Sequence, residues 1–247
     1  MMDDLKDLQT PKQGVMEAIM QGGAVAYDKG DLPDISVLEA EVIDGFALKI
    51  MPSEFYQQFS RDQLAFFGNR HAYYGMPTTE LVDWIKHRIA GRTAIEIGSG
   101  NGSLGKALGI HCTDSWAQAQ PAVKQWYADA GQPVIKYSNH VKKLDYRKAI
   151  LKYRPKVVVA QWVTNYPNNM MGIDEDWLLD NVETYIHVGH DQVHDCKLIL
   201  ARPHETHYLP SLFSRSHRER EVVWVWDRPE SRADFNKTLN CHLWAVH

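Results

Sequence analysis

A run of glycines directly after a short apolar strand is the feature that most restricts how this chain can fold. Residues 93–97 read as a β-strand, and the chain continues into a turn with glycines at positions 98, 100 and 102. Glycine allows a tight turn and a close approach of a ligand, because no Cβ occupies the space. Glu96 lies within that strand, where a carboxylate is costly unless it accepts hydrogen bonds from a loop amide or a ligand. The segment therefore predicts a ligand-binding turn at the end of a strand.

Apolar runs typical of strands alternate with helical segments along the rest of the chain. We predict strands at 110–113, 134–135, 157–160 and 197–200, helices at 117–130, 142–153 and 174–184, and an antiparallel pair formed by 222–226 and 239–246. This alternation is typical of a doubly wound α/β sheet that is mostly parallel. Ligands of such sheets bind at the carboxyl ends of the strands. The glycine turn marks that place here.

Two classes of cofactor are compatible with the turn, and a nicotinamide dinucleotide is the first. Gly100, Gly102 and Gly105 match the G-x-G-x-x-G pattern of proteins that bind nicotinamide dinucleotides. In those proteins the acid that binds the ribose lies about 20 residues further on, whereas Asp114 lies 14 residues after Gly100. The spacing disfavours a nicotinamide-dependent oxidoreductase and leaves it as an alternative.

The order of the strand-end features resembles that of the Rossmann-like (class I) S-adenosylmethionine-dependent methyltransferases. The first motif of that family is an acid followed by G-x-G-x-G, as in residues 96–102. An acid that binds the ribose closes the second strand of the family, which matches Asp114. An acid followed by an aromatic residue lies near the adenine after the third strand, which matches Asp145 and Tyr146. The resemblance covers residues 77–247 and implies a seven-stranded sheet with an antiparallel last pair, preceded by an N-terminal extension, residues 1–76, packed on it.

The resemblance also implies S-adenosyl-L-methionine as the cofactor of a methyltransferase. The residues expected to bind it are Tyr73, Glu96, Gly98, Ser99, Gly100, Gly102, Asp114, Ser115, Asp145, Tyr146, Gln161 and Trp162. Tyr73 belongs to the segment that, in similar methyltransferases, folds over the methionine end of the cofactor. Methyl transfer mainly requires that the protein hold the reacting atoms in line.

Asn165 is the candidate catalytic residue, in the loop after the fourth strand. Methylases of amino groups in DNA and protein share a [D/N]-P-P-[aromatic] loop at this place, and residues 165–168 read Asn-Tyr-Pro-Asn. The loop keeps the Asn and one Pro but lacks the first Pro and the closing aromatic residue. The methyl acceptor therefore stays open between a small molecule, a protein and a nucleic acid. The degenerate loop also keeps open a non-catalytic binding or regulatory protein.

Two further features limit the functional classes. Five histidines between 187 and 207, with Cys196 among them, leave a zinc site open, although no C-x₂-C pair accompanies them and polar loop histidines are the alternative. We assign no metal. The net charge of −4 and three scattered cysteines fit a cytoplasmic protein, and no apolar run is long enough to predict a membrane partner.

Overall fold

A central β-sheet organises the computed structural model, which describes residues 32–165 and 172–228. The strands, in chain order, are β1 (Ile43–Asp44), β2 (Ala47–Leu48), β3 (Ala94–Ile97), β4 (His111–Asp114), β5 (Lys142–Lys143), β6 (Val157–Gln161), β7 (Thr184–His190), β8 (Glu205–His207) and β9 (Glu221–Asp227). The helices are α1 (Ser36–Val42), α2 (Ser53–Gln57), α3 (Arg61–His71), α4 (Thr79–Ile89), α5 (Ser103–Leu108), α6 (Pro121–Asp129), α7 (Tyr146–Tyr153), α8 (Glu175–Asn181) and α9 (Lys197–Leu200).

Seven strands form the main sheet in the order β5-β4-β3-β6-β7-β9-β8. Strands β3 to β7 pair in parallel, β9 runs antiparallel to β7, and β8 runs antiparallel to β9. The winding reverses between β3 and β6, so the carboxyl ends of five parallel strands meet at one edge beside that reversal. The predicted doubly wound, mostly parallel sheet with antiparallel last strands is confirmed.

The alternation of side chains along β6 explains why both faces of the sheet are covered. Val157 and Val159 pack into one apolar cluster with residues of α4 and α5, whereas Val158 and Ala160 pack into another with residues of α7 and α8. All four are fully buried. A continuous apolar run is what a parallel strand between two helical layers requires.

Residues 32–76 add three helices and the small β1–β2 hairpin beside the main sheet. Their buried side chains form a cluster that also includes Phe213 of the sheet domain. The Ser53 hydroxyl donates a hydrogen bond of 2.6 Å to Glu80 at the start of α4. The described part of the extension is thus packed on the sheet domain, while the boundary at residue 76 stays a prediction.

Two strands predicted from the sequence are wrong. The third strand is β5, at Lys142–Lys143, rather than residues 134–135, and α7 begins only after it. The Asp145 side chain caps α7 by accepting hydrogen bonds from the backbone N–H groups of Arg147 and Lys148, which fixes that start. Lys197–Leu200 is a short helix and not a strand. The prediction failed because an apolar run of this length does not distinguish a helix from a strand.

The closing strands also differ from the prediction in their pairing. Residues 222–226 lie in a strand, β9, but its described neighbours are β7 and β8. Residues 239–246, the predicted partner, lie outside the described residues. Among residues 32–165 and 172–228, no helix has the length and apolar character needed to cross a bilayer.

Gly105 tests how closely α5 packs on the sheet. A Cβ at this position would lie 2.5 Å from Glu96 Oε2 and 2.6 Å from Cys112 Sγ. Gly105→Ala should therefore lower the free energy of unfolding by about 1–3 kcal/mol, although alanine is the better helix former. Urea unfolding measures this, with Lys106→Ala, at an exposed position of the same helix, as the control. A Gly105→Ala protein as stable as the wild type would contradict the packing described.

Candidate functional site

A cavity of about 850 Å³ lies at the carboxyl ends of the parallel strands. Its walls come from the glycine turn after β3, from the ends of β4 and β6, from the start of α7, and from two segments outside the sheet, around residues 72–75 and Arg215. Sites for small molecules and cofactors typically occupy 300–1,000 Å³. The cavity therefore has the size and the place of a ligand site in a doubly wound sheet.

The glycine turn borders the cavity with backbone rather than side chains. Gly98 and Gly100 have φ angles of +56° and +54°, in the left-handed region that glycine adopts without strain. A Cβ on Gly98 would also lie 2.4 Å from Val163 Cγ1. Only glycine fits at this position, and its absent side chain leaves the backbone accessible from the cavity.

Asp114, at the end of β4, joins the glycine turn to the cavity wall. Its Oδ2 accepts a hydrogen bond of 3.0 Å from Gly100 N–H, and its Oδ1 accepts one of 2.7 Å from Trp116 N–H. Burial raises the pKa of Asp114, and the hydrogen bonds from Trp116 and Gly100, together with the nearby Tyr137 side chain, partly oppose that shift. A carboxylate accepts about four hydrogen bonds, so acceptor positions remain for the ribose hydroxyls.

The structure brings most of the predicted cofactor residues together. The predicted residues that line the cavity are Gly98, Ser99, Gly100, Asp114, Ser115, Asp145, Tyr146, Gln161 and Trp162. Ser99 extends the ladder between β3 and β4, because its Oγ donates to Thr113 O at 3.0 Å and accepts from Thr113 N–H at 2.9 Å. The hydrogen bonds of the loops thus hold these side chains at the cavity before any ligand arrives.

Three predicted cofactor residues do not line the cavity. Tyr73 is buried against α3, and its neighbour Tyr74 lines the cavity instead. Glu96 faces α5, where its Oε2 accepts a hydrogen bond of 3.1 Å from Gly105 N–H. Gly102, with a φ of +78°, precedes the first residue of α5. Glu96 and Gly102 therefore shape the turn from beneath rather than from the ligand side.

The candidate catalytic residue Asn165 is also away from the cavity. Its side chain is buried, with 6% of the residue exposed, and its backbone pairs with Ile173. Thr164, the residue before it, lines the cavity. Residues 166–168 of the predicted acceptor loop lie outside the described part of the chain.

Sequence reasoning missed an aromatic and basic corner of the cavity. The guanidinium carbon of Arg215 lies 3.8 Å from the centre of the Tyr74 ring, and the hydroxyl of Tyr74 lies 3.3 Å from that of Tyr127. All three residues line the cavity. The tyrosine pair at 73 and 74 was a usable signal, but nothing local in the sequence links Arg215 to them.

Three of the five histidines are buried, His187 and His190 on β7 and His194 just after it, and His194 reaches the cavity. His190 N–H donates a hydrogen bond of 2.9 Å to Nδ1 of His194. Burial lowers the pKa of His194 well below its ordinary value, so its ring is neutral. A neutral ring whose Nδ1 accepts a hydrogen bond carries its proton on Nε2. His194 is therefore a hydrogen-bond donor in the cavity wall.

The five histidines do not form one cluster. His187, His190 and His194 are buried beside β7, whereas His207 lies against Arg88 and Glu205 at the far edge of the sheet. Within residues 32–165 and 172–228, no group of three or more His, Cys, Asp or Glu side chains is placed to hold a metal ion.

Similar proteins are found among solved structures, at low identity. No known protein family and no curated protein matches this sequence. Among solved structures, an rRNA methylase from Streptococcus thermophilus is similar at 13% identity and a TM-score of 0.37, over 60% of this chain and 93% of that one. The 23S rRNA methyltransferase ErmE is similar at 14% identity and a TM-score of 0.32, over 61% of this chain and 68% of that one.

A third solved structure is the tRNA (uracil-54, C5)-methyltransferase of Pyrococcus abyssi in complex with S-adenosyl-L-homocysteine. It is similar at 13% identity and a TM-score of 0.32, over 59% of this chain and 36% of that one. At such identities and TM-scores these likenesses carry no argument about this chain. The strand order by itself is the seven-stranded, mostly parallel sheet with antiparallel last strands that the resemblance predicts.

The buried carboxyl of Glu96 makes stability depend on pH. Burial raises its pKa to about 8, so the folded protein keeps a proton that the unfolded chain loses near pH 4.5. The free energy of unfolding should therefore fall as pH rises from 6.5 to 8, because the folded state binds more protons in that range. His194, whose pKa is lowered, makes the free energy of unfolding rise with pH, but only below about pH 6.5.

Glu96→Gln removes this titration, so the free energy of unfolding of the variant should fall less steeply with rising pH. Part of the slope should remain, because burial also raises the pKa of Glu221 to about 8. Urea unfolding at several pH values measures the slopes, with Glu54→Gln, at an exposed position, as the control. Equal slopes in wild type and Glu96→Gln would contradict the buried, protonated carboxyl.

Proposed function

We propose that this chain binds S-adenosyl-L-methionine in the cavity and transfers its methyl group to an acceptor. The observation that carries the proposal is the Asp114 carboxylate, bonded to the Gly100 amide beside a cavity of about 850 Å³. An acid at the end of the second strand, next to a glycine turn, is where the resemblance locates the ribose. The finding that nine of the expected cofactor residues line one cavity supports it.

The ends of β4 and β5 offer the side of the cavity that suits the adenosyl group. Asp114 and Ser115 follow β4, and Asp145 and Tyr146 follow β5. Tyr137 lies between them, with its ring stacked on Trp116 at 4.9 Å. A carboxylate can accept hydrogen bonds from the ribose hydroxyls of a nucleoside, and aromatic rings can pack against its base.

The ends of β6 and β7 leave the other side for the acceptor. Gln161 and Trp162 close β6, and His194 follows β7. The cofactor supplies an activated methyl group when it is bound. The chain's own residues bind and orient the acceptor and exclude water. The amide of Gln161 and the Nε2–H of His194 are available to hydrogen-bond the acceptor. We assign Asn165 no contact with the acceptor, because its side chain is buried and does not line the cavity.

A non-catalytic binding protein is the second candidate function. The position of Asn165 outside the cavity favours it, since the residue expected to touch the acceptor does not reach it. Incubating the protein with radiolabelled S-adenosylmethionine and a cell lysate separates the two functions. Labelled product that depends on Asp114 supports the methyltransferase, whereas cofactor binding without any labelled product supports the binding protein.

Two glycines with the same backbone conformation provide a matched test of the cofactor site. Gly100 and Gly109 have φ angles of +54° and +72°, but only Gly100 lines the cavity, and a Cβ on Gly109 would meet nothing within 4 Å. Valine at either position should cost roughly 1–2 kcal/mol of stability or more. Gly100→Val alone should weaken binding of S-adenosylhomocysteine, by at least about tenfold, or 1.4 kcal/mol.

Isothermal titration with S-adenosylhomocysteine, and with NADH as the competing cofactor class, measures this effect. Binding that both variants weaken equally, or that NADH shows and S-adenosylhomocysteine does not, would contradict the proposed site.

A further inference from the structure

Arg215 is a buried cation without a carboxylate partner among the described residues. Only 6% of the residue is exposed, yet its side chain lines the cavity. Its Nε has no hydrogen-bond partner, and the ion pairs formed within residues 32–165 and 172–228 do not include it. A buried charge is costly unless it is paired and hydrogen-bonded. Within the described ranges no carboxylate neutralises this guanidinium, so an anionic ligand would be favoured beside it.

The surrounding chain holds this guanidinium in a fixed place. Tyr74 offers its ring at 3.8 Å and accepts a hydrogen bond of 3.1 Å at its carbonyl from Arg215 N–H. Gly75 pairs with Ser214 on the neighbouring segment. A Cβ on Gly68 would lie 2.5 Å from Arg215 Cβ, so this glycine leaves the space that Arg215 occupies. Such an arrangement is preorganised for an oxyanion such as a carboxylate or phosphate, which a guanidinium binds with two parallel hydrogen bonds.

The buried acid on the same segment, Glu221, is already engaged. It accepts hydrogen bonds from Ser214 Oγ and, at 3.3 Å, from Trp162 Nε1. Another donor in the cavity wall is His194, whose ring contacts Trp162 edge to face with centroids 5.2 Å apart. A guanidinium and a neutral N–H group both favour a ligand that accepts hydrogen bonds.

The Tyr74 ring links this corner to the end of β6, because its centroid lies 6.1 Å from that of the Trp162 ring, while its hydroxyl faces Tyr127 of α6. Asp114 and Asp145 follow β4 and β5, on one side of β3, whereas Trp162 and His194 follow β6 and β7, on the other. We propose that Arg215 and Tyr74 form an oxyanion subsite that binds a carboxylate or phosphate group of the methyl acceptor. This inference rests on the proposed function and narrows it to anionic acceptors.

The test uses four full-length proteins: the wild type, Arg215→Gln, Arg215→Lys and Arg220→Gln. Arg220 serves as the control because it lies on the same segment, outside the cavity, and faces Asp191 at 3.5 Å. S-adenosylhomocysteine and 5′-methylthioadenosine, which lacks the amino-acid part, are titrated first. Inorganic phosphate and acetate are then titrated into the protein saturated with S-adenosylhomocysteine.

Arg215→Gln should bind both nucleosides as the wild type does and should lose phosphate and acetate affinity by about ten- to a hundredfold, the loss of a charged hydrogen bond. Arg215→Lys should retain part of the anion affinity, because lysine keeps the positive charge but lacks the planar guanidinium that stacks on Tyr74 and forms two parallel hydrogen bonds. Arg220→Gln should behave as the wild type.

Three results would overturn the inference. The first is a wild-type complex that binds neither anion at millimolar concentration, and the second is anion affinity equal in the wild type and Arg215→Gln. The third is an Arg215→Gln protein that loses affinity for S-adenosylhomocysteine but not for 5′-methylthioadenosine, which would assign Arg215 to the cofactor's own carboxylate. A wild type that binds no S-adenosylhomocysteine contradicts the proposed function instead, and phosphate titrated alone still decides whether Arg215 binds oxyanions.

Discussion

The carboxylate of Asp114 ties the end of β4 to the glycine turn after β3, and the candidate site depends on this bond. Gly100 N–H and Trp116 N–H both donate to it, so one side chain orients the backbone of the loops after β3 and after β4. Glu96 supports the same turn from beneath by holding the start of α5 through Gly105 N–H. A turn fixed before the ligand arrives avoids much of the ordering cost of binding.

The opposite side of the cavity is fixed by different contacts. Trp162 has a φ of +54°, which is unusual for a residue with a side chain, and its indole N–H is bonded to Glu221. Residues held in such conformations cluster at functional sites, where the surrounding structure enforces them. Arg215 lies in the same wall as a cation, and His194 as a neutral donor. The cavity therefore has one side suited to a nucleoside and one suited to an acceptor of hydrogen bonds.

The sheet could be predicted from the sequence because its signals are local. The glycine turn and the apolar run at 157–160 each fix a strand by themselves. Asp114 follows from the end of the predicted second strand, whereas Asp145 and Tyr146 come from the resemblance, since β5 was not predicted. Other residues could not be predicted, because tertiary contacts place them. Arg215 comes from a distant segment, and the choice between Tyr73 and Tyr74 depends on which side of one short segment faces α3.

Glu96 and Asn165 show the limit of reading roles from residue type. A strand acid beside a glycine turn has two available partners, the ligand and the next helix, and here Glu96 bonds to the helix. Asn165 follows the fourth strand as an acceptor-binding residue would, but the chain turns its side chain into the protein. Sequence position fixed the loop on which each residue lies, and packing decided the direction of each side chain.

A crystal structure of the protein with S-adenosylhomocysteine tests the central claim most directly. We predict that the ligand occupies the cavity, with the ribose hydroxyls at Asp114 and the sulfur between the glycine turn and Trp162. Electron density for the ligand elsewhere on the protein, or an empty cavity at saturating ligand concentration, would contradict the account.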